Sequence, residues 1–384
     1  MSFVESEERR ALREAVAELG AKYGPDYYIA KARSGEKTHE LWNEAGALGY
    51  LGVNVPEEYG GGGGGIGDLA AVCEELAAAG CPLLLMVVSP AICATIIARS
   101  GTREQKEHWL PRFADGSVKM AFAITEPDAG SNAHRITTHA RRDGDGWVLR
   151  GQKTFISGVD EADAVLFVAR SADQQGNLRP SLFIVPTDAP GFTWTPIEME
   201  IVSPEKQFVC HLDDVHLPYE ALVGDEDGGL LQLFAGLNPE RIMAAAMGAG
   251  IGRLALAKAV SYARERQVFK VPIGAHQGLA HPLAAAKVEL ELARLMGQKA
   301  AWLYDSGDDL GAGEAANMAK YAAAEAAIHC VDQAIQTHGG NGLTTEYGVG
   351  MLAGVVRLMR IAPVSREMIL NYIAQHSLGL PKSY

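Results

Sequence analysis

What most restricts the fold of this 384-residue sequence is a change of hydrophobic period, made twice. Over residues 1–118 apolar side chains recur at helical spacing, through Leu12, Val16 and Leu19 and again through Leu69, Val72 and Leu76. From 119 to 232 the period shortens. β-rich runs at 120–125, 147–150, 164–169, 182–185 and 208–212 are separated by turn clusters such as 142–146. From 233 to 384 the chain is rich in Ala and Leu, and long helical patterns cover 241–266, 281–306, 313–338 and 365–376. The pattern predicts a mainly α protein with a β insert: an N-terminal helical domain, a middle antiparallel β domain and a C-terminal bundle of long helices.

Charge and composition narrow the partners. Lys and Arg number 34 against 47 Asp and Glu, a net charge of −13, which argues against nucleic acid. With 48% apolar and 21% charged residues the chain reads as globular. The first residues lack an apolar core and are too acidic for a transit peptide. The longest apolar stretch, 83–98, is interrupted by Ser89, Pro90 and Thr95 and falls short of the ~20 residues a membrane span needs, so a buried helix is expected there. Five cysteines without a Cys-x-x-Cys pair argue against a disulfide framework or a zinc site and point to buried thiols in a reducing cytoplasm. The histidines show no metal-ligand spacing, and no metal is expected.

Several segments offer chemistry. Gly60 to Gly65 form a run of six glycines ahead of a helix that Asp68 could cap. Without a following Gly-Lys-Ser/Thr the run reads as an inter-helix loop in preference to a phosphate cradle. Gly248-Ala-Gly-Ile-Gly-Arg253 superficially resembles a dinucleotide fingerprint, but it lies mid-helix with no preceding strand, which favours close helix contact. Residues 123–131, Ala-Ile-Thr-Glu-Pro-Asp-Ala-Gly-Ser, leave a strand for a turn and group hydroxyls with bare backbone, suited to a planar polar ligand or to an ordinary β-turn. In 151–158, Gly-Gln-Lys-Thr-Phe-Ile-Ser-Gly, strand alternation puts Phe155 and Ser157 on one face. His338-Gly-Gly-Asn-Gly342 closes a long helix, where glycine is a common cap; His338 itself is expected to be structural.

In this order, the segments at 124–131 and 151–157, with Tyr-Ala-Arg-Glu-Arg-Gln-Val-Phe at 262–269 and Gln-Thr-His-Gly-Gly-Asn-Gly at 336–342, resemble the acyl-CoA dehydrogenases over nearly the whole chain. Leu-Asp-Asp-Val-His-Leu-Pro at 212–218 is a further, weaker match. The resemblance implies a homotetramer, a dimer of dimers, binding FAD at a subunit interface, with an acyl-CoA substrate and an electron-transfer flavoprotein as acceptor. By family pattern Phe122, Ile124, Thr125 and Ser131 contact the flavin, Phe155 lies against its ring with Ser157 beside it, and Ser365 approaches it again. Arg266, Phe269 and Gln277, with Gln336, Gly339 and Gly340, meet the adenosine and pyrophosphate of an FAD held mainly by the neighbouring subunit.

The base is displaced in this sequence. Many relatives carry their catalytic Glu near the C-terminus, and Pro363 falls on that position; proline has neither a carboxyl nor an N–H. The isovaleryl-CoA dehydrogenase-like enzymes place it instead at the start of the first long C-terminal helix, where this chain has Asn238-Pro239-Glu240-Arg241. The resemblance therefore assigns the base to Glu240, with Asn238, Arg241 and Ser131 toward the substrate. Asn at an N-cap, Pro at N1 and an acid in the first turn are also what any helix start favours. Glu367 is the fallback acid. Flavin monooxygenases, nitroalkane-oxidising enzymes and a non-catalytic flavin- or acyl-CoA-binding homologue are the competing readings.

Overall fold

The computed structural model describes residues 5–173, 175–226 and 229–382. The N-terminal region is helical: α1 (Glu7–Ser34), α2 (His39–Ala47), α3 (Ile66–Ala78), α4 (Leu84–Val88), α5 (Thr95–Ser100) and α6 (Arg103–Ala114). The Ser6 hydroxyl accepts the Arg9 amide at the head of α1, and Gly24, at φ 69°, bends that helix before Pro25. A π-helical turn, Ser89–Ala94, joins α4 to α5, so 84–100 is one nearly continuous apolar segment packed inside the protein.

The six-glycine run is an inter-helix loop whose amides are all used internally. Gly60, Gly61, Gly62, Gly63 and Gly64 donate to backbone carbonyls between Gly52 and Glu57, and Gly65 donates to the Asp68 carboxylate at 3.0 Å. The next two amides, of Ile66 and Gly67, are held by Asp305 at 2.8 and 2.9 Å. No donor in the run is left to cradle a phosphate.

The middle region is an eight-stranded sheet among the described residues: β1 (Met120–Ala123), β2 (His139–Asp143), β3 (Gly146–Ser157), β4 (Ala164–Ala172), β5 (Leu178–Pro186), β6 (Phe192–Ile197), β7 (Gln207–Pro218) and β8 (Leu222–Val223), in the order β6-β7-β3-β2-β4-β5-β8 with β1 beside β4. The expected antiparallel pairing holds for most neighbours, but β1 runs parallel to β4, with Met120 opposite Ala164, and β2 meets β4 in parallel at His139 and Arg170. The chain enters from the helices and reaches β4 only after the β2–β3 excursion, long enough for the crossover a parallel pair requires. β2 escapes the sequence pattern because it is mostly charged and exposed, and β6, in which Phe192 and Trp194 alternate with Thr193 and Thr195, because it carries no contiguous apolar run.

The C-terminal region holds α7 (Gly229–Glu265), a short hairpin of β9 (Gln267–Val268) and β10 (Val271–Pro272), then α8 (Gln277–Asp305), α9 (Asp309–His338), α10 (Leu352–Ile361) and α11 (Arg366–Tyr372). The last helical pattern thus splits into α11 and a π-helical turn, Ile373–Ser377. The Gly248–Arg253 motif allows the close helix contact expected of it. A Cβ on Gly250 would lie 2.4 Å from the Glu74 carbonyl oxygen of α3, and one on Gly252 would lie 2.8 Å from Leu290 of α8. Residues 232–265 are long and apolar enough to cross a membrane, but 72% of their most apolar window is buried inside the protein. All five cysteines are buried and unpaired.

One expectation fails. Asn238-Pro239-Glu240 does not start a helix; α7 begins at Gly229 and runs through Pro239. Proline removes the amide that would bond the carbonyl four residues back. The Tyr304 hydroxyl of α8 takes that carbonyl, of Ala235, at 2.8 Å. Tyr304→Phe leaves the Ala235 oxygen without this donor and is expected to cost about 1–3 kcal/mol, read as a lower thermal midpoint. Gly250→Val drives a side chain into the α3 backbone and is expected to cost at least as much by the same measurement.

Candidate active site

Two segments of the sheet domain meet edge to edge. Lys153 of β3 donates to the Ile124 carbonyl at 3.0 Å, and the Thr154 amide donates to the Thr125 carbonyl at 2.9 Å. This fixes the 122–131 strand-and-turn against 153–157. Phe122 is buried, Ile124 and Thr125 are half-buried and Ser131 is exposed. Among the described residues no hydrogen bond engages the hydroxyls of Thr125 or Ser131.

The register of β3 against β7 breaks between Lys153 and Ile156, and Phe155 sits there at φ 56° with 57% of its surface exposed. Phe155 and Ser157 share a face as the alternation predicts, with Ile156 buried between them, but Lys153 and Thr154 are both buried and interrupt the pattern. Gln207 donates to the Ser157 hydroxyl at 2.9 Å. An exposed aromatic held in a left-handed backbone conformation, next to the 124–125 edge whose Thr125 hydroxyl is unbonded among the described residues, suits a flat, polar-edged ring system.

Glu240 lies on the face of α7 turned to the π-helical turn, half-buried. Removal of its carboxyl from water pushes it up to about 7, against the opposing pull of Arg241 and Lys320. Its charge reaches Cys93 of that turn, whose thiol donates to the carbonyls of Met120 and Ala121 at 3.8 and 3.6 Å. The π-helical turn that faces Glu240 is thereby tied to the start of β1, the strand that leads into 122–131. Among the described residues no hydrogen bond occupies the Glu240 carboxylate.

Its polar neighbours are buried. Arg241 donates to the Leu237 carbonyl at 2.9 Å and to Asn238 at 3.4 Å, while its Nε has no partner. Asn238 donates to the Asp309 carbonyl at 3.4 Å, so it ties α7 to α9 and does not cap a helix. Lys320 of α9 is buried, donates to the Val364 carbonyl, and is pulled down to about 8 by burial, against the opposing pull of Glu240.

At the C-terminal end neither expected position offers an unengaged acid. Pro363 lies in the turn between α10 and α11, preceded by a cis peptide bond. Ser365 caps α11 by accepting the Met368 amide at 3.3 Å. Glu367 is exposed and bonded to Arg366 at 3.0 Å; its backbone hydrogen bond and that arginine hold its carboxyl below the usual range.

A second group of expected residues lies at the far end of α7. Arg266 follows the helix, is exposed, and makes no ion pair among the described residues. Phe269, at φ 53°, is 87% exposed at the tip of the β9–β10 hairpin, and Gln277 opens α8. Gln336 is exposed near the end of α9, and a Cβ on Gly339 or Gly340 would meet nothing within 4 Å. The Tyr262 ring stacks on His338 at 4.4 Å, and its hydroxyl accepts from Asn341 at 3.1 Å, which brings this loop beside the end of α7. His338 is buried in that stack, as a structural residue should be. No hydrogen bond among the described residues joins this group to 122–131 or 153–157.

An unpaired guanidinium, open glycine backbone and an exposed aromatic suit a nucleotide pyrophosphate, as Phe155 and its flanking hydroxyls suit an isoalloxazine. The donor set therefore fits FAD. The sequence reading did not single out Gln207, Lys320, or the Lys153–Glu126 pair. Charged residues inside β-rich or Ala-rich runs were the available signal for the last three.

Comparison with known proteins supports the family resemblance. The N-terminal, middle and C-terminal domain models of the acyl-CoA dehydrogenases match residues 6–117, 121–209 and 227–378. The chain is 67% identical to the acyl-CoA dehydrogenase FadE12 of Mycobacterium tuberculosis over 384 residues, covering 100% of this chain and 99% of that protein. Among solved structures, a glutaryl-CoA dehydrogenase in complex with glutaryl-CoA superposes with a TM-score of 0.93 at 30% identity, covering 100% of this chain and 98% of that one. A Mycobacterium smegmatis glutaryl-CoA dehydrogenase with FADH2 gives 0.91 at 28%, covering 99% and 96%. With all three domains matched in order along its length, the chain belongs to the acyl-CoA dehydrogenases, FAD-dependent oxidoreductases.

Proposed function

We propose that this enzyme converts an acyl-CoA thioester to its trans-2-enoyl-CoA with Glu240 as the base. The observation that carries the assignment is a half-buried carboxylate, free of hydrogen bonds among the described residues and raised to about 7, while Pro363 offers no acid and Glu367 is engaged by Arg366. A base that must take a weakly acidic α-proton near neutral pH gains from that elevation. Arg241 and Lys320 oppose it and keep the carboxylate accessible as a charged species. Ser131, Asn238 and Arg241 lie toward the thioester in this reading.

Phe122, Ile124, Thr125, Ser131, Phe155, Ser157 and Ser365 would hold the flavin, and Arg266, Phe269, Gln277, Gln336, Gly339 and Gly340 the nucleotide part of a neighbouring subunit's cofactor. When bound, FAD supplies the acceptor for the hydride that leaves the β-carbon. Electrons would pass on to an electron-transfer flavoprotein. The separation of the two residue groups within one chain supports a cofactor shared between two subunits, and exposed Val288, Leu292, Leu295 and Trp302 along α8 offer apolar surface for further association into the proposed homotetramer. The five buried free thiols support a cytoplasmic location.

Anaerobic mixing of the yellow enzyme with straight, branched and ring-bearing acyl-CoAs is expected to bleach the flavin absorbance with at least one of them. Glu240→Gln is expected to bind that substrate and bleach about 10²–10⁴-fold more slowly; parental bleaching would exclude Glu240 as the base. In the parent enzyme kcat/KM should rise with pH through about 7, as the Glu240 carboxyl loses its proton.

The same elevation makes a prediction that needs no turnover. A carboxyl higher in the folded state than unfolded destabilises the fold increasingly between its ordinary range and about 7, and fully above that. Glu240→Gln should therefore raise the thermal midpoint more at pH 8 than at pH 5.

A further inference from the structure

Lys153 is fully buried in the middle of β3, and Glu126, 5% exposed, lies in the turn after β1. The lysine donates to a Glu126 oxygen at 2.9 Å and to the Ile124 carbonyl at 3.0 Å. The carboxylate also accepts the Thr138 amide at 2.9 Å, the Thr137 amide at 2.6 Å and the Thr137 hydroxyl at 2.8 Å. One ion pair thus gathers three separate pieces of chain: the end of β1, the approach to β2, and β3.

Replacing a buried ion pair by apolar residues of similar size is often neutral or stabilising. A pair with this many bonds is better understood by the geometry it imposes. Immediately beyond it, Phe155 carries a left-handed backbone and an exposed ring, an arrangement that persists only where the surroundings over-determine it. The constraint comes from both sides. Lys153 and Thr154 are bonded to Ile124 and Thr125, and the ladder resumes at once with Ile156 opposite Phe208 and Ser157 opposite Gln207.

We propose that the Glu126–Lys153 pair is a positioning device for the flavin ring: it locks the 124–125 edge and the strained Phe155 at a fixed spacing, and so sets how tightly FAD is held and at what potential it works. The proposal rests on the placement of the flavin between these two segments. Neither residue touches the reacting atoms; both act through their neighbours.

The test removes both charges together, because Lys153→Met alone leaves Glu126 buried without its cation. The E126Q/K153M holoenzyme is expected to keep a thermal midpoint near the parent's. It should release FAD about tenfold faster, followed as the rise of free-flavin fluorescence (tenfold is about 1.4 kcal/mol), with a shifted visible absorption maximum and midpoint potential. A stabilising role alone would move the thermal midpoint and leave the spectrum and potential unchanged. Parental release, spectrum and potential in this variant overturn the proposal. Should the double variant not fold, Thr137→Val removes one bond to Glu126 and keeps the backbone donor. A faster release of FAD then supports the proposal, and a parental rate overturns it. Phe155→Ala separates the two readings: if it too leaves FAD release and spectrum unchanged, the flavin placement is wrong; if it alters them while E126Q/K153M does not, the placement stands and the pair has no part in it.

Discussion

A helix of 37 residues stays put along its axis only when its neighbours approach closely enough to interlock, and α7 is held in this way. Gly250 brings it onto the backbone of α3, Gly252 onto Leu290 of α8, and the backbone of α9 approaches Gly248. At Gly250 any side chain would collide with the α3 backbone, so the closest of these contacts resists sliding of the helix. Pro239 is the weak point of the helix, and the Tyr304 hydroxyl makes good the hydrogen bond that proline cannot. Glu240 follows at once, so its position is inherited from packing that extends over several turns on either side.

The same packing sets the electrostatics. Burial raises Glu240, and two cations limit the rise, one from the same helix and one from α9. Lys320 does a second thing: its ammonium holds the Val364 carbonyl and so ties the Pro363 turn to the bundle beside the carboxylate. At the other side of the site, buried Glu205 accepts the Leu84 amide at 2.9 Å and the Ser203 hydroxyl at 2.8 Å, which fastens the start of α4 to the segment leading into β7. Helical and sheet domains are thus joined by polar contacts near the site, in addition to the apolar cores within each.

How much of this could be read beforehand depended on whether a residue's role was local. β1, β3, β4, β5 and β7 announced themselves through apolar runs, whereas β2 and β6, largely exposed, did not. Asp68 as a cap and Gly339 as a helix terminator follow from rules that act within a few residues, and both are found. Asn238-Pro239-Glu240 satisfied those rules equally well and misled, because the deciding partner, Tyr304, is sixty-five residues further on. Lys153 and Lys320 were readable only as charges in unexpected places; nothing local names Ile124 or Val364 as what they hold.

The sequence by itself determined the three-part architecture, the helical contact surfaces and the short list of residues able to do chemistry, since hydrophobic period and residue type are properties of the chain. Tertiary structure alone decided that Glu240 sits inside a continuous helix, that its carboxyl is driven up by burial, and that Phe155 stands exposed on a strained backbone. Those are matters of which distant groups come to share a low-dielectric space, and no local pattern encodes the depth of a pocket or the partner that closes it.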